Sequence, residues 1–219
     1  MIDLFRGRMG STRTQTRQNW IASFCIAIAF FISIPAQASS QIEAANRLIE
    51  AMVGDVENYF LADSGDISKR IENVTKLLDT HFDIPGIARF SAGPYWRAAN
   101  EEERVTYTQV MREALIGTIA RNFDRLAGLR FTVIDSQAKG TSMVLVRGNF
   151  RDKAGKRPPV SVGWRVVTPH PESAKVLDVE IENISMLITQ KQENIAIIRK
   201  NGGRFSALIQ AMKQRQQTQ

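Results

Sequence analysis

Apolar residues recur at helical spacing through the first half of the chain, switch to strict alternation in the middle, and return to helical spacing at the end. Ile42, Ala45, Leu48, Ile49, Met52, Val53, Val56 and Phe60 mark one helix, and Ile67, Ile71, Val74, Leu77 and Leu78 resume the pattern after the Asp63-Ser64-Gly65-Asp66 break. A short segment, Phe82 to Phe90, follows. In it Asp83 is placed to cap a helix with Pro85 at an early position. The longest helix is expected to start after Asn100, which forms a capping box with Glu103, and to run to about Ala127 with Gly128 as its stop. Its stripe reads Val110, Met111, Ala114, Leu115, Thr118, Ile119, Asn122, Phe123 and Leu126.

The period then falls to two. Leu129 to Asp135, Met143 to Arg151, Val160 to Val167 and Val176 to Glu182 read as four strands joined by short polar connections, which suits an antiparallel meander. Val160, Val162, Trp164 and Val166 share a face. In the last strand Leu177, Val179 and Ile181 oppose Asp178, Glu180 and Glu182, so one face is expected to be apolar and the other wet. Leu187 to Lys200 and Phe205 to about Arg215 close the chain as helices around Asn201-Gly202-Gly203. The fold class is therefore α+β: a curved antiparallel four-stranded sheet, NTF2-like in character, packed against several helices, whose large apolar residues suit a filled core or an apolar cavity between them equally.

The N-terminus changes which residues count. Arg6, Arg8, Arg13 and Arg17 precede an apolar run from Trp20 to Ile34, and Ala36-Gln37-Ala38 is an A-x-A cleavage signal. Residues 1–38 thus read as a cleaved signal peptide, leaving 39–219 as a single domain working outside the cytoplasm. Cys25, the only cysteine, lies within the signal, so the mature chain is expected to hold no disulfide or thiolate. Removing Asp3 and the four arginines lowers the formal charge from +7 to +4. The densest basic cluster, Lys153, Lys156 and Arg157, sits in a turn and reads as a solvated loop; no basic stripe interleaved with aromatics supports a nucleic-acid role.

Candidate chemistry is sparse. His81 and His170 each lack a second histidine at ligand spacing, and no nucleophile elbow, P-loop or dinucleotide fingerprint is present. His81, Asp83, Asp135 and Asp178 are the residues that an enzymatic reading would have to use, and they form no constellation in the sequence. The chain is not expected to be an enzyme, and no metal or cofactor is implied.

The segment Phe82 to Phe123 resembles the MlaC family, the toluene-tolerance auxiliary proteins. The likeness is carried by Phe82-Asp83 with its apolar turn, the run Gly93, Tyr95, Trp96 and Arg97, and the glutamate-rich helix start. Lys175 to Met186 is similar to the family's K-V-x-D-V-x-x-E-G-V-S block, with Asn183 in place of its usual Gly and Ala174 where a Trp often stands. Asn tolerates left-handed backbone, so the turn is expected to persist. The resemblance implies a monomeric periplasmic shuttle that binds phospholipid. Its partners are an outer-membrane lipoprotein complex and an inner-membrane ABC transporter with an MCE-domain subunit, a pathway that maintains outer-membrane lipid asymmetry. A hopanoid-associated branch has the same features. On this reading the tails lie between the long helix and the apolar sheet face. Phe90, Tyr95, Trp96, Met111, Leu115, Ile119, Phe123, Val162, Trp164, Val166 and Val179 are the pocket candidates.

Overall fold

The computed structural model describes residues 36–170 and 172–218. The expected signal segment up to residue 35 lies outside the described residues, and helix α1 (Ala36–Leu61) already runs through the expected cleavage point after Ala38. The break after α1 is built from carboxylates. Asp66 accepts from the Ser68 amide to cap α2 (Ile67–His81), while Arg70 grips Asp63 and reaches Asp124 at 2.7 Å. Asp83 caps α3 (Ile84–Ser91) by accepting from the Gly86 amide at 2.9 Å, with Pro85 in the first turn. A single turn, α4 (Tyr95–Ala98), leads into α5 (Glu101–Arg121). Its capping box is complete, with both reciprocal bonds between Asn100 and Glu103 formed.

The long helix ends earlier than its sequence pattern predicts. At Asn122 the side chain turns back to donate to the Thr118 carbonyl, and Phe123–Leu126 tightens into a 3-10 turn. That turn drives Phe123 into the core, where it stacks on Phe60 at 4.2 Å. The buried face of α5 is also rotated from the predicted stripe: Tyr107, Val110, Met111, Ile116 and Ala120 face inward, and Leu115 and Ile119 are half-buried.

The sheet is an antiparallel meander in sequence order, β1 (Leu129–Ala138), β2 (Met143–Asp152), β3 (Val160–Val167), β4 (Lys175–Ile181) and β5 (Ile184–Ser185). It has five strands, not four. Glu182 and Asn183 both adopt positive φ, the geometry of a two-residue hairpin, and this folds Ile184-Ser185 back onto β4. The left-handed turn expected at Asn183 is therefore present. The alternation read into β4 is corrected by a bulge: Arg165 pairs with Asp178 but Val166 pairs with Val176, so Leu177 is the extra residue. Val176 is consequently buried in the sheet core, while Leu177 packs with the helices.

The opposite face is not simply wet. Asp178 is buried, accepting from Ser185 Oγ at 2.5 Å and from the Leu187 amide at 2.9 Å, and Arg165 bridges it to Glu180. A carboxylate in that position fixes the start of α6 (Met186–Lys200), whose own cap is Ser185. The last helix is α7 (Phe205–Gln217).

Two hydrophobic cores result. One is helical, formed by α2, α3, α5, α6 and α7 around Tyr107, Phe123, Leu78, Ile198 and Leu208. The other lies between α1 and the sheet, with Ala45, Ile49 and Met52 against Val144, Val146, Val162, Trp164, Val166 and Val176. Tyr59 and Phe82 touch both. Polar contacts locate α1 on the sheet side, where Ser136 donates to Asn46 and Lys153 lies 3.9 Å from Glu57, while the buried His81 at the end of α2 shares a 2.7 Å hydrogen bond with Asp55.

A buried polar chain joins α3, α5 and α6 inside the helical core. Ser91 Oγ donates to the Ala88 carbonyl, leaving Tyr107 Oη to donate to Ser91 at 2.7 Å, and Asn194 Nδ2 donates to Tyr107 at 2.8 Å and to the Ser91 carbonyl. Gln190 then donates to Asn194 Oδ1. Burial pushes the Tyr107 hydroxyl well above the ordinary phenol range, so it stays a neutral donor and acceptor.

Tyr107→Phe should remove two of these bonds and cost about 1–3 kcal/mol of unfolding free energy, with the far-ultraviolet circular dichroism unchanged. Urea titration of the two proteins checks this. Acid should act on a different contact, where Arg112 of α5 holds the Asp79 carboxyl of α2 below its usual range, chiefly by hydrogen bonding. A lowered carboxylate pKa contributes stability at neutral pH that is lost as the pH falls below about 4. Both side chains are partly solvated, so the contribution is small. Arg112→Gln should flatten this part of the acid limb in denaturation curves measured across that range.

Candidate functional site

A cleft of about 490 Å³ opens where α3, α4 and α6 meet the ends of β3 and β4. Local chemistry fixes each wall. Gly86 has no Cβ because one there would collide with the capping carboxylate of Asp83, so the start of α3 sits close against the cap. Gly93 turns the chain out of α3 at φ +60, and a Cβ there would lie 3.0 Å from Ile195 Cδ1 and 3.1 Å from Lys191 Cε. The bare backbone at Gly93 therefore lets α6 approach. Arg104 secures α4 by donating to the carbonyls of Trp96 and Arg97, and its guanidinium lies 5.7 Å from the Trp96 ring.

The lining divides by chemistry. Val167, Leu177, Phe90 and Trp96 supply apolar surface, while Arg89, Arg97 and Lys191 bring positive charge from three different helices. None of these cations forms an ion pair among the described residues; Lys191 instead holds its ammonium 4.7 Å from the Phe90 ring centroid. The one carboxylate in the lining, Asp83, is engaged by the Gly86 amide. Leu177 and Val167 stand beside the seam between the two cores, because Leu177 packs with the helices while its neighbour Val176 is buried with the sheet.

Of the pocket candidates drawn from the sequence, Phe90 and Trp96 line this cleft. Met111 and Phe123 belong to the helical core, with Tyr95, Leu115 and Ile119 packed against it. Val162, Trp164 and Val166 lie in the sheet core, with Val179 against it. The structure thus distributes the candidates between two cores, and the buried side chains of α5 lie in the helical core, apart from those of the sheet. Arg89, Lys191, Val167 and Leu177 were missed. Arg97 and Gly93 lie in the Gly93 to Arg97 run, where the family resemblance is the signal that points to them, since neither is a large apolar residue.

The residues available to an enzymatic reading have separate partners. His81 bonds Asp55, Asp83 caps α3, Asp135 lies 3.6 Å from Arg147, and Asp178 organises the start of α6. Arg157, expected in a solvated loop, donates to the carbonyls of Arg125 and Ala127 and so fastens the turn before β1. Among the described residues, no group of three or more His, Cys, Asp or Glu side chains is placed to hold a metal ion, and no helix is long and apolar enough to cross a membrane.

The family model described as MlaC protein matches residues 46–214. No curated protein matches the chain. A solved structure of a phospholipid-binding protein from Ralstonia solanacearum, in complex with a phospholipid, is similar with a TM-score of 0.68 and 23% identity. The match covers 78% of this chain and 96% of that one, and at this identity the likeness is one of fold.

Gly93→Ala should strain both the positive-φ turn and its contact with α6, lowering stability by about 1–2 kcal/mol. Thermal unfolding of the variant would show it, and Gly54→Ala, inside α1 with no atom within 4 Å of an added Cβ, should by contrast raise stability by about 0.5–1 kcal/mol.

Proposed function

The chain belongs to the MlaC family, and from that premise we propose that it is a periplasmic phospholipid carrier rather than an enzyme. It would shuttle lipid between an outer-membrane lipoprotein complex and an inner-membrane ABC transporter with an MCE-domain subunit, in an Mla-type pathway that maintains outer-membrane lipid asymmetry. The observation that carries the reading is the amphipathic cleft: cations at three helix positions and an apolar wall that continues to the seam between two hydrophobic cores. A lipid has the same division, with a charged head joined to apolar tails. The phospholipid named with the Ralstonia solanacearum structure is of this class.

Energetics favour such a design. Two acyl chains of about 15 methylenes each gain roughly 24 kcal/mol on leaving water, but a bilayer already provides nearly all of it. A carrier therefore has to match the bilayer, which requires a dry apolar space and no reacting group. The cleft has the size of a small-molecule site, large enough for the head end of a lipid. The tails are accommodated by separation of the helical core from the sheet core along Phe82 and Leu177, where the two cores meet. This differs from a slot between α5 and the sheet, because α5 remains part of the helical layer.

Native mass spectrometry of the protein released from a periplasmic extract tests the proposal. The expected spectrum shows a mass increment of one lipid, recovered as phospholipid in the organic extract and diminished in a Leu177→Asp variant that keeps its circular dichroism. Ligand-free protein throughout, with no lipid in the extract, would sink it.

A further inference from the structure

We infer that the cleft selects lipids whose head group is net anionic and carries no amine, through Arg89, Arg97 and Lys191. This rests on the carrier reading and adds a head-group specificity to it. The three cations come from α3, α4 and α6 and line one cleft, so they face a common ligand rather than scattering over the surface. Their charge is uncompensated locally: none is ion-paired among the described residues, and Asp83 has its carboxylate turned to the Gly86 amide as the cap of α3. The neighbouring acids are also engaged. Glu101, beyond Trp96, lies 3.8 Å from Arg104, and Glu193 on α6 lies 3.8 Å from Arg215.

The consequence for a bound head group follows from charge alone. A phosphodiester oxygen finds guanidinium and ammonium donors, and such charge-assisted bonds are the stronger kind. An ammonium or trimethylammonium group on the same head would find no free carboxylate in the lining and would add a positive charge to a site already holding three. The aromatic surfaces offer little relief, since Lys191 already occupies the Phe90 ring and Arg104 the Trp96 ring. Zwitterionic phospholipids thus gain at the phosphate and lose at the amine, whereas phosphatidylglycerol-type heads only gain. Discrimination of this kind uses repulsion as much as attraction.

The test is uptake by the delipidated mature protein from vesicles containing equal mole fractions of phosphatidylglycerol and phosphatidylcholine with matched acyl chains, read by mass spectrometry of the extracted lipid. The expected result is enrichment of phosphatidylglycerol by about tenfold or more, the scale of one unfavourable like-charge contact between the choline cation and the site. In the triple variant Arg89→Gln, Arg97→Gln, Lys191→Gln the ratio should fall to near unity. Uptake of a matched diacylglycerol should stay as in the parent, showing that the fold and the tail site are intact. Equal uptake of the two phospholipids by the parent, or an unchanged preference in the triple variant, overturns the inference while leaving the carrier reading in place. Displacement of phosphatidylglycerol by an equal concentration of inorganic phosphate assigns the cations to a free anion and overturns it too. Protein that takes no lipid from any vesicle overturns the carrier reading itself.

Discussion

The helical layer is tied to the sheet by one backbone contact, the Asp83 amide donating to the Val176 carbonyl at 2.9 Å within a parallel bridge between Phe82 and Val176. The geometry of the cleft follows from it. Asp83 is also the cap of α3, so the same residue fixes the direction of the helix through its side chain and the distance to the sheet through its backbone. Lys175 reinforces the corner by donating to the Asp79 and Thr80 carbonyls at the end of α2, where a cation also suits the helix dipole. One residue further along β4, the bulge turns Leu177 out of the sheet core and into the cleft wall. A regular strand would place both Val176 and Leu177 by alternation from Asp178, and the apolar back of the cleft would be lost.

The two cores are held in different ways, and the difference bears on how such a protein could open. The helical core is cross-braced by a buried hydrogen-bond chain through Ser91, Tyr107, Asn194 and Gln190. Satisfied networks of that kind resist repacking, because separating them exposes unpaired groups to an apolar surround. Among the described residues the sheet core has no comparable network: it is an assembly of Ala, Val, Ile, Leu, Met and Trp side chains with α1 laid over the sheet. At the boundary between the cores Tyr59 and Phe82 touch both through non-directional apolar contact, and the directional ties there are the Asp83–Val176 hydrogen bond and the Lys175 contacts with the end of α2.

Much of the fold was legible because it is written in local signals. The Asn100 capping box, the Asp83 cap, the Gly202-Gly203 stop and the period-2 strands each act within a few residues, and each forms where the sequence places it. What the sequence did not disclose was set by pairing between distant segments. The β4 bulge depends on register against β3, and without it Leu177, Val179 and Ile181 look like one face. The fifth strand is two residues long and shows only in the backbone of Glu182 and Asn183. The site was less legible than the fold for the same reason. Large apolar residues fill a core and line a cavity equally well, and most of the candidates lie in or against the two cores. The cations of the cleft, spread from Arg89 to Lys191, form no motif until three helices bring them together.

Placing the charges on short, tightly turned elements has a physical rationale. Arg89 and Arg97 lie on either side of the Gly93-Pro94 turn, and Lys191 is brought to them because Gly93 has no side chain to hold α6 away. The three cations line one cleft, and the polar chain from Ser91 at the end of α3 to Asn194 on α6 joins two of the helices that carry them from inside the core. On the carrier reading, the head group meets the layer that the polar chain braces, while the tails lie at the boundary between the cores, where entry of a ligand would part the apolar contacts of Tyr59 and Phe82 together with the Asp83–Val176 hydrogen bond.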